Sequence, residues 1–357
     1  MSLNKKASKL FLICLALYLG LSIVVSVVLE LAAPGNNDLI FLMSSVAVSI
    51  PAFLIPALIF RRRNALPRFK APRFGHIVIA VIIGAGAIYL NEALSFLNEA
   101  VFFGVDIQSN ATTAETIMDL SIPTMLIALA VIPPISEEFI MRGALLEVWR
   151  RYSPIGAAIL TSLLFALLHA APSALIVYIG VGLLLAAVYL ITRNVWLTVT
   201  VHFINNLFTA LAAISIKSFG GLEEAAETAS ESAELAEISG LDIESLMGSQ
   251  SGLMRLFVYY LIIAAVIIVP MLLLLRASCK KRSIGMYASE DKLPAPEGEE
   301  YAGSALGEGP AFEGPGAAAE PEEKGSMWKD GLLWVTIILL VILNVVTGLF
   351  EFGVIKQ

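Results

Sequence analysis

The sequence has little charge, few histidines and almost no cysteine. Asp, Glu, Lys and Arg make up 15% of its 357 residues, against roughly 25% in a typical soluble domain. A net charge of −7 leaves no basic groove for a phosphate backbone, which excludes a nucleic-acid binder. Of the two cysteines, Cys14 lies in an apolar run and Cys279 beside a basic cluster. They form neither a disulfide framework nor a cysteine zinc motif. The chain shows no Gly-rich nucleotide loop and no internal repeat.

Apolar residues are abundant instead. They make up 58% of the chain, against roughly 45–50% in soluble domains, and the mean hydropathy is +0.83. Nine apolar runs follow one another at about 10–33, 39–60, 76–97, 122–146, 154–171, 173–192, 194–216, 255–275 and 331–353. Each approaches the ~20 residues a spanning helix needs, the fifth being short and ending at Pro172. Backbone in lipid must satisfy itself, so each run predicts a helix. The expected fold is an all-α, polytopic transmembrane bundle of about nine spans.

The first run follows Lys5, Lys6 and Lys9, as in a signal peptide. Its apolar stretch is longer than a signal core of ~7–15 residues, which predicts an uncleaved anchor. With a cytoplasmic N-terminus and nine alternating spans, nineteen of the 23 Lys and Arg fall in cytoplasmic segments. The positive-inside rule therefore predicts an external C-terminus, in a membrane expected to be a bacterial plasma membrane. Trp149, Trp196 and Trp328 are expected near the interfaces.

Two polar segments interrupt this plan. Residues 217–254 carry Glu223, Glu224, Glu227, Glu231, Glu234, Glu237, Asp242 and Glu244, which reads as a solvated external loop. Residues 285–330 are rich in Pro, Gly, Ala and Glu, a composition that cannot bury a core. The expected organisation is a two-span region with a basic loop (1–74), a core (75–284), a disordered linker (285–330) and an added C-terminal helix (331–357).

Charged groups at mid-membrane cost at least ~2.5–3.5 kcal/mol each and mark functional sites by default. The fourth run contains Pro133-Pro134-Ile135-Ser136-Glu137-Glu138-Phe139-Ile140-Met141-Arg142. Glu138 and Arg142 are i and i+4 and share a helix face, so they can neutralise each other. Glu137 is turned about 100° away and lacks a local counter-charge, which suits a general base. The two prolines break or kink the helix just before the acids. Ser136 is expected to bond backbone only.

Three histidines are present: His76, His169 and His202. His76 opens the third run and reads as an interfacial side chain. His169 shares a face with Phe165, and His202 with Asn206. Counted from the cytoplasmic helix ends, Glu137 lies roughly 20 Å deep, His169 roughly 22 Å and His202 roughly 12 Å. Tilt and kinks tolerate that spread. Three spans can thus bring two acids, an arginine, two imidazoles and a carboxamide to one buried site. Such a site suits water activation. Glu137 would take the proton; one imidazole would orient the water or protonate the leaving amine. Asn206 and the other imidazole would donate to a tetrahedral oxyanion. Asn91 and Glu92, in the third run, are expected near the outer interface.

Glu137-Glu138-x-x-x-Arg142, Phe165-x-x-x-His169 and His202-x-x-x-Asn206 resemble, in order, the three motifs of the CPBP intramembrane proteases. That family includes the type II CAAX prenyl proteases and the bacterial Abi-type proteins. The resemblance covers roughly residues 75–216. It implies a cytoplasm-facing intramembrane cavity and peptide hydrolysis by glutamate-activated water. It implies Glu137 as base, His169 at the water, His202 with Asn206 at the oxyanion, and Glu138 with Arg142 in support. No cofactor is expected, since the usual zinc spacing is lacking; zinc through His169 and His202 is the alternative. Expected partners are membrane lipid and a peptide or lipidated-peptide substrate, CAAX-like or a leader peptide. The competing readings are a non-proteolytic scaffold or self-immunity protein of the same fold, and a proton-coupled transporter.

Overall fold

The structure is a computed structural model describing residues 2–67, 69–105, 117, 119–218, 246–290 and 327–351. Most of the expected acidic loop and of the expected linker lies outside the described residues. The described residues form helices only: α1 (Leu3–Ala32), α2 (Asn37–Arg63), α3 (Phe74–Val101), α4 (Ile122–Trp149), α5 (Pro154–Leu168), α6 (Leu175–Thr192), α7 (Val195–Ser218), α8 (Gln250–Glu290) and α9 (Gly331–Glu351). The nine expected runs each become a helix, but only eight are long and apolar enough to cross a membrane. The exception is α5. Its 15 residues extend about 22 Å, short of a ~30 Å hydrocarbon layer.

Local chemistry sets the helix starts. Ser153 Oγ accepts from Gly156 N at 3.1 Å, and Pro154 occupies the first turn of α5, where a missing N–H is harmless. Asn194 Oδ1 caps α7 by accepting from Trp196 N at 3.0 Å, and Asp330 Oδ1 caps α9 at Leu332 N.

Helix α4 is the central element: 56% of its apolar window is buried, against 11% for α1. It is not a uniform α-helix. Leu126–Val131 and Met141–Leu146 are π-helical, as is Ser44–Leu54 in α2. Ile132 N bonds Ile127 O, five residues back. Pro133 has no N–H to continue that ladder. The carbonyls left over are taken from outside the helix. Ser45 Oγ of α2 donates to Ala128 O at 3.0 Å, and Asn206 Nδ2 of α7 donates to Leu129 O at 3.1 Å.

Small residues allow close helix approach, as expected where no hydrophobic force separates protein from lipid. A Cβ on Gly84 would stand 2.7 Å from Ile204 Cβ, and one on Gly182 would stand 3.0 Å from Ser162 Cα. The outer faces are apolar and exposed, with Ile23, Val27 and Leu31 on α1, Ile262 and Val266 on α8, and Ile338 and Ile342 on α9. These are the faces that lipid covers. Trp196 and Trp328 are partly exposed near helix ends. Trp149 departs from its expected interfacial place. It is fully buried, in the cluster that also holds Phe11, Leu145 and Leu160.

At the end of the bundle bearing the basic clusters, buried Glu147 ties α4 to α6. It accepts from Tyr189 Oη at 2.8 Å, from Arg193 Nη2 at 2.7 Å and from both Nε and Nη2 of Arg150. Arg61 donates to Gly143 O and Pro67 O and lies 3.8 Å over the Phe69 ring. Phe69 meets Phe139, and Phe139 meets Trp196, both edge-on. These rings and the arginine pack the basic end beneath the acids of α4.

Candidate active site

The site is built on α4. One turn separates Glu138 from Arg142, and Arg142 Nη1 donates to Glu138 Oε1 at 2.7 Å. Both side chains are completely buried. Arg142 Nη2 donates to Gly182 O of α6 at 2.9 Å, and the guanidinium lies 5.0 Å from the Phe165 ring of α5. The pair expected from the i, i+4 spacing therefore also joins three helices. An isolated buried charge would be very costly, so each charge here is matched.

His202 of α7 completes the centre. Its Nδ1 lies 3.1 Å from Glu138 Oε1. A carboxylate only accepts, so Nδ1 carries the proton, which leaves Nε2 facing the other acid. That Nε2 is 4.0 Å from Glu137 Oε2. Glu137 Oε2 is buried without a hydrogen-bond partner among the described residues.

His169 terminates α5. Its backbone N bonds Ala166 O and its Nδ1 lies 2.8 Å from Phe165 O. Nδ1–H is thus the donor and Nε2 the free acceptor. The ring stacks on Tyr178 of α6, with centroids 3.9 Å apart and planes 22° from parallel. Phe165 contacts both imidazoles edge-on, His169 at 4.7 Å and His202 at 5.8 Å between centroids.

Glu137 and His169 line one cavity of about 250 Å³, together with Tyr18, Ser45, Ser49 and Pro133. The lining also includes Ser22, Phe41, Ser44 and Ala128. Those residues stand about 28–33 Å along their helices from the basic end, and Glu137 about 18 Å. The cavity therefore runs from mid-depth toward the end remote from the basic clusters, opposite to the cytoplasm-facing cavity that the family resemblance implies.

Asn206 reaches the site edge. One amide N–H is donated to Leu129 O, which leaves the second available. Its Oδ1 accepts from Asn205 Nδ2 at 3.4 Å, and Asn205 Oδ1 accepts from Asn91 Nδ2 at 2.9 Å. Asn91 is thus drawn into the bundle by an amide chain and does not act as an interfacial residue. Ser136 Oγ donates to the carbonyls of Ile132 and Pro133, as expected. His76 stands apart from the site, 2.8 Å from Ser278 Oγ.

Several residues here are not distinguishable in the sequence. Tyr178, Tyr18 and Gly182 lie within apolar runs where nothing in their spacing marks them. Asn205 adjoins Asn206 and carries the only such signal, a second amide in a membrane helix.

The metal alternative requires three protein ligands around one point. Among the described residues no three His, Cys, Asp or Glu side chains converge as a metal-binding group. Nδ1 of each imidazole is bonded to an oxygen, which leaves both Nε2 atoms free, as in a histidine oriented from behind.

Buried Glu138, partly buried Glu137, Arg142 and two imidazoles are thus brought together by α4, α5 and α7. Residues 119–208 match the family model described as type II CAAX prenyl endopeptidase Rce1-like. The chain is 25% identical over 173 residues to YdiL of Bacillus subtilis (strain 168), named as a proposed membrane peptidase. The alignment covers 47% of this chain and 70% of the relative. No solved structure matches the chain. The matched stretch carries the motif set, and over it the chain is similar to that family; the two matches support a multi-pass membrane protease.

Proposed function

We propose that the protein is an intramembrane endopeptidase in which Glu137 activates water. The observation that carries this reading is the unpartnered Glu137 carboxylate oxygen, in one cavity with His169 and 4.0 Å from His202 Nε2. A carboxylate beside a roomy, polar-lined cavity can hold a water. His169 Nε2 is the second acceptor that orients it.

In the reaction, Glu137 takes one proton as the water oxygen bonds to the scissile carbonyl carbon. The resulting oxyanion is met by the free N–H of Asn206 and by His202 Nε2–H, in the state where that imidazole has taken up a proton from solvent before the attack. The proton held on Glu137 passes to the amide nitrogen as the C–N bond breaks, giving a carboxylic acid and an amine; the acid then gives its remaining water-derived proton to the amine, leaving a carboxylate and an ammonium. Glu138 and Arg142 touch no reacting atom. They hold His202 by its Nδ1 and keep the charge balanced. The substrate is a peptide segment able to enter the membrane layer, with or without a lipid chain, on the CAAX-like or leader-peptide pattern. By the distribution of basic residues, the N-terminus faces the cytoplasm.

The test uses purified wild type and Glu137→Gln in nanodiscs, assayed on prenylated and unprenylated peptide pools, before and after chelation. Cleavage by wild type that survives chelation and is lost in the variant is expected. Undiminished cleavage by folded Glu137→Gln refutes the base, and zinc-restored cleavage after chelation refutes the metal-free step.

A further inference from the structure

His169 stands on a turn that ends α5 inside the apolar layer. Helix ends leave carbonyls without intrahelical partners, and lipid offers them none. The turn is also unusual in its backbone: Ala170 has φ +48°, a left-handed conformation that side chains other than Gly adopt infrequently. Inside the turn Ala170 N already bonds Leu167 O at 3.2 Å, and that carbonyl has a second lone pair to offer a neighbouring helix.

Helix α9 holds the turn at both ends. Asn344 Nδ2 donates to Leu167 O at 2.7 Å, two residues before His169. Glu351 Oε2 accepts from Ser173 N at 3.0 Å, four residues after it. Along the way α9 runs beside α5: Leu333 and Leu340 share the buried cluster of Leu160 and Leu164, and Met327, just before α9, lies over Gly156. The register agrees with a parallel pairing. Leu167 lies thirteen residues from Pro154, and Asn344 thirteen from Gly331, about 20 Å in each case. Asn344 is 7% exposed, and a buried amide on a span-length helix is costly unless it bonds. Its bond goes to the His169 turn and to its own Leu340 O.

We infer that α9 is a clamp and that Asn344 and Glu351 are positioning residues acting through the 167–173 turn on His169. This rests on the reading of His169 as the water-orienting group. Helix α9 lies outside residues 119–208, the stretch matched by the family model. The clamp is therefore a property of this chain beyond that matched stretch. It deepens the reading by making the geometry of the active imidazole depend on a helix that joins the core from the far end of the sequence.

The experiment uses the full chain in nanodiscs with Asn344→Leu, Glu351→Ala and the conservative Glu351→Gln, which keeps an acceptor for Ser173 N–H. Three readouts are taken: amide exchange over 168–175, the rate of His169 carbethoxylation relative to His76 and His202, and kcat and KM on a cleaved peptide. Loss of a charge-assisted bond should raise exchange about tenfold in Glu351→Ala. Asn344→Leu should act similarly, with faster His169 modification, lower kcat and little change in KM. Glu351→Gln should recover most of the loss.

Unchanged exchange and unchanged His169 modification in both disruptive variants overturn the clamp. Raised exchange with unaltered kcat and His169 modification overturns the positioning role. A uniform rise in exchange across all helices overturns it too, by showing general destabilisation. If wild type cleaves no peptide, the hydrolytic reading fails by itself, and His169 modification still decides the clamp.

Discussion

Replacing Arg142 by Met tests whether the core of the site is an integrated ion pair. The guanidinium is completely buried and bonds Glu138 Oε1 at 2.7 Å and Gly182 O at 2.9 Å. Met fills similar volume but leaves the Glu138 carboxylate with His202 alone. Breaking one side of a buried pair costs about 3–5 kcal/mol. Gly182 O keeps its intrahelical donor in α6, so loss of its second bond adds only about 0.5–1.5 kcal/mol. The sum approaches the lower end of an ordinary domain's whole stability, about 5–15 kcal/mol. Glu138→Gln in the same background removes the orphaned charge, so the double variant should recover about 1–3 kcal/mol relative to additivity. Denaturant titration in mixed micelles, followed by tryptophan fluorescence, reads these differences, with buried Trp149 as a reporter within α4. Arg142→Lys, which keeps the charge but not the fork, should fall between wild type and Met and covers the case where Met does not fold. A cost below about 1 kcal/mol for Arg142→Met, or strict additivity in the cycle, refutes the coupled pair.

Gly182→Ala should cost about 1–3 kcal/mol by overpacking against Ser162, read in the same titration; a neutral result refutes the close α5–α6 contact. Tyr178→Phe should retain hydrolysis because the stacked ring remains, whereas Tyr178→Ala should lower kcat by freeing His169. Equal activity of the two variants refutes stacking as the support for that imidazole. Asn205→Ala should reduce kcat more than it shifts the unfolding midpoint, because Asn206 Oδ1 loses its donor. A matched loss of both would reduce Asn205 to a packing residue.

What could be read from sequence was whatever a single helix decides. Glu138 and Arg142 pair because four residues return to one face, and the 100° offset of Glu137 leaves it outside that pair. Helix counting also gave depths, which put His169 and His202 within reach of the acids. Depth says nothing of azimuth. That His202 presents Nδ1 to Glu138 and Nε2 to Glu137 depends on how α7 is rotated against α4. Tyr178 was illegible for a similar reason: a tyrosine in an apolar run looks like any span residue until the neighbouring helix end brings His169 onto its ring. Position alone places Asn91 at an interface, since its amide partner Asn205 lies 114 residues away. The π-helical stretches also escaped reading, because periodicity over six residues does not separate a π turn from an α turn.

Those stretches bear on function through two prolines. Prolines in a helix interior cost about 3 kcal/mol each relative to Ala, so Pro133-Pro134 is not explained by stability. Their effect is to leave α4 carbonyls open just before the acids. Asn206 takes Leu129 O and Ser45 takes Ala128 O. Pro133→Ala would restore an N–H four residues after Leu129, in the helical relation to its carbonyl. The helix could then satisfy itself and release the Asn206 amide. The expected result is a protein as stable as wild type or more so, by up to about 3 kcal/mol, with reduced kcat. Gains in stability that cost activity are the usual signature of a locally strained site. Denaturant titration and peptide hydrolysis on the same preparation measure both. Lower stability with full activity would mean that the prolines only shape the helix, and would separate Asn206 from the freed carbonyl altogether.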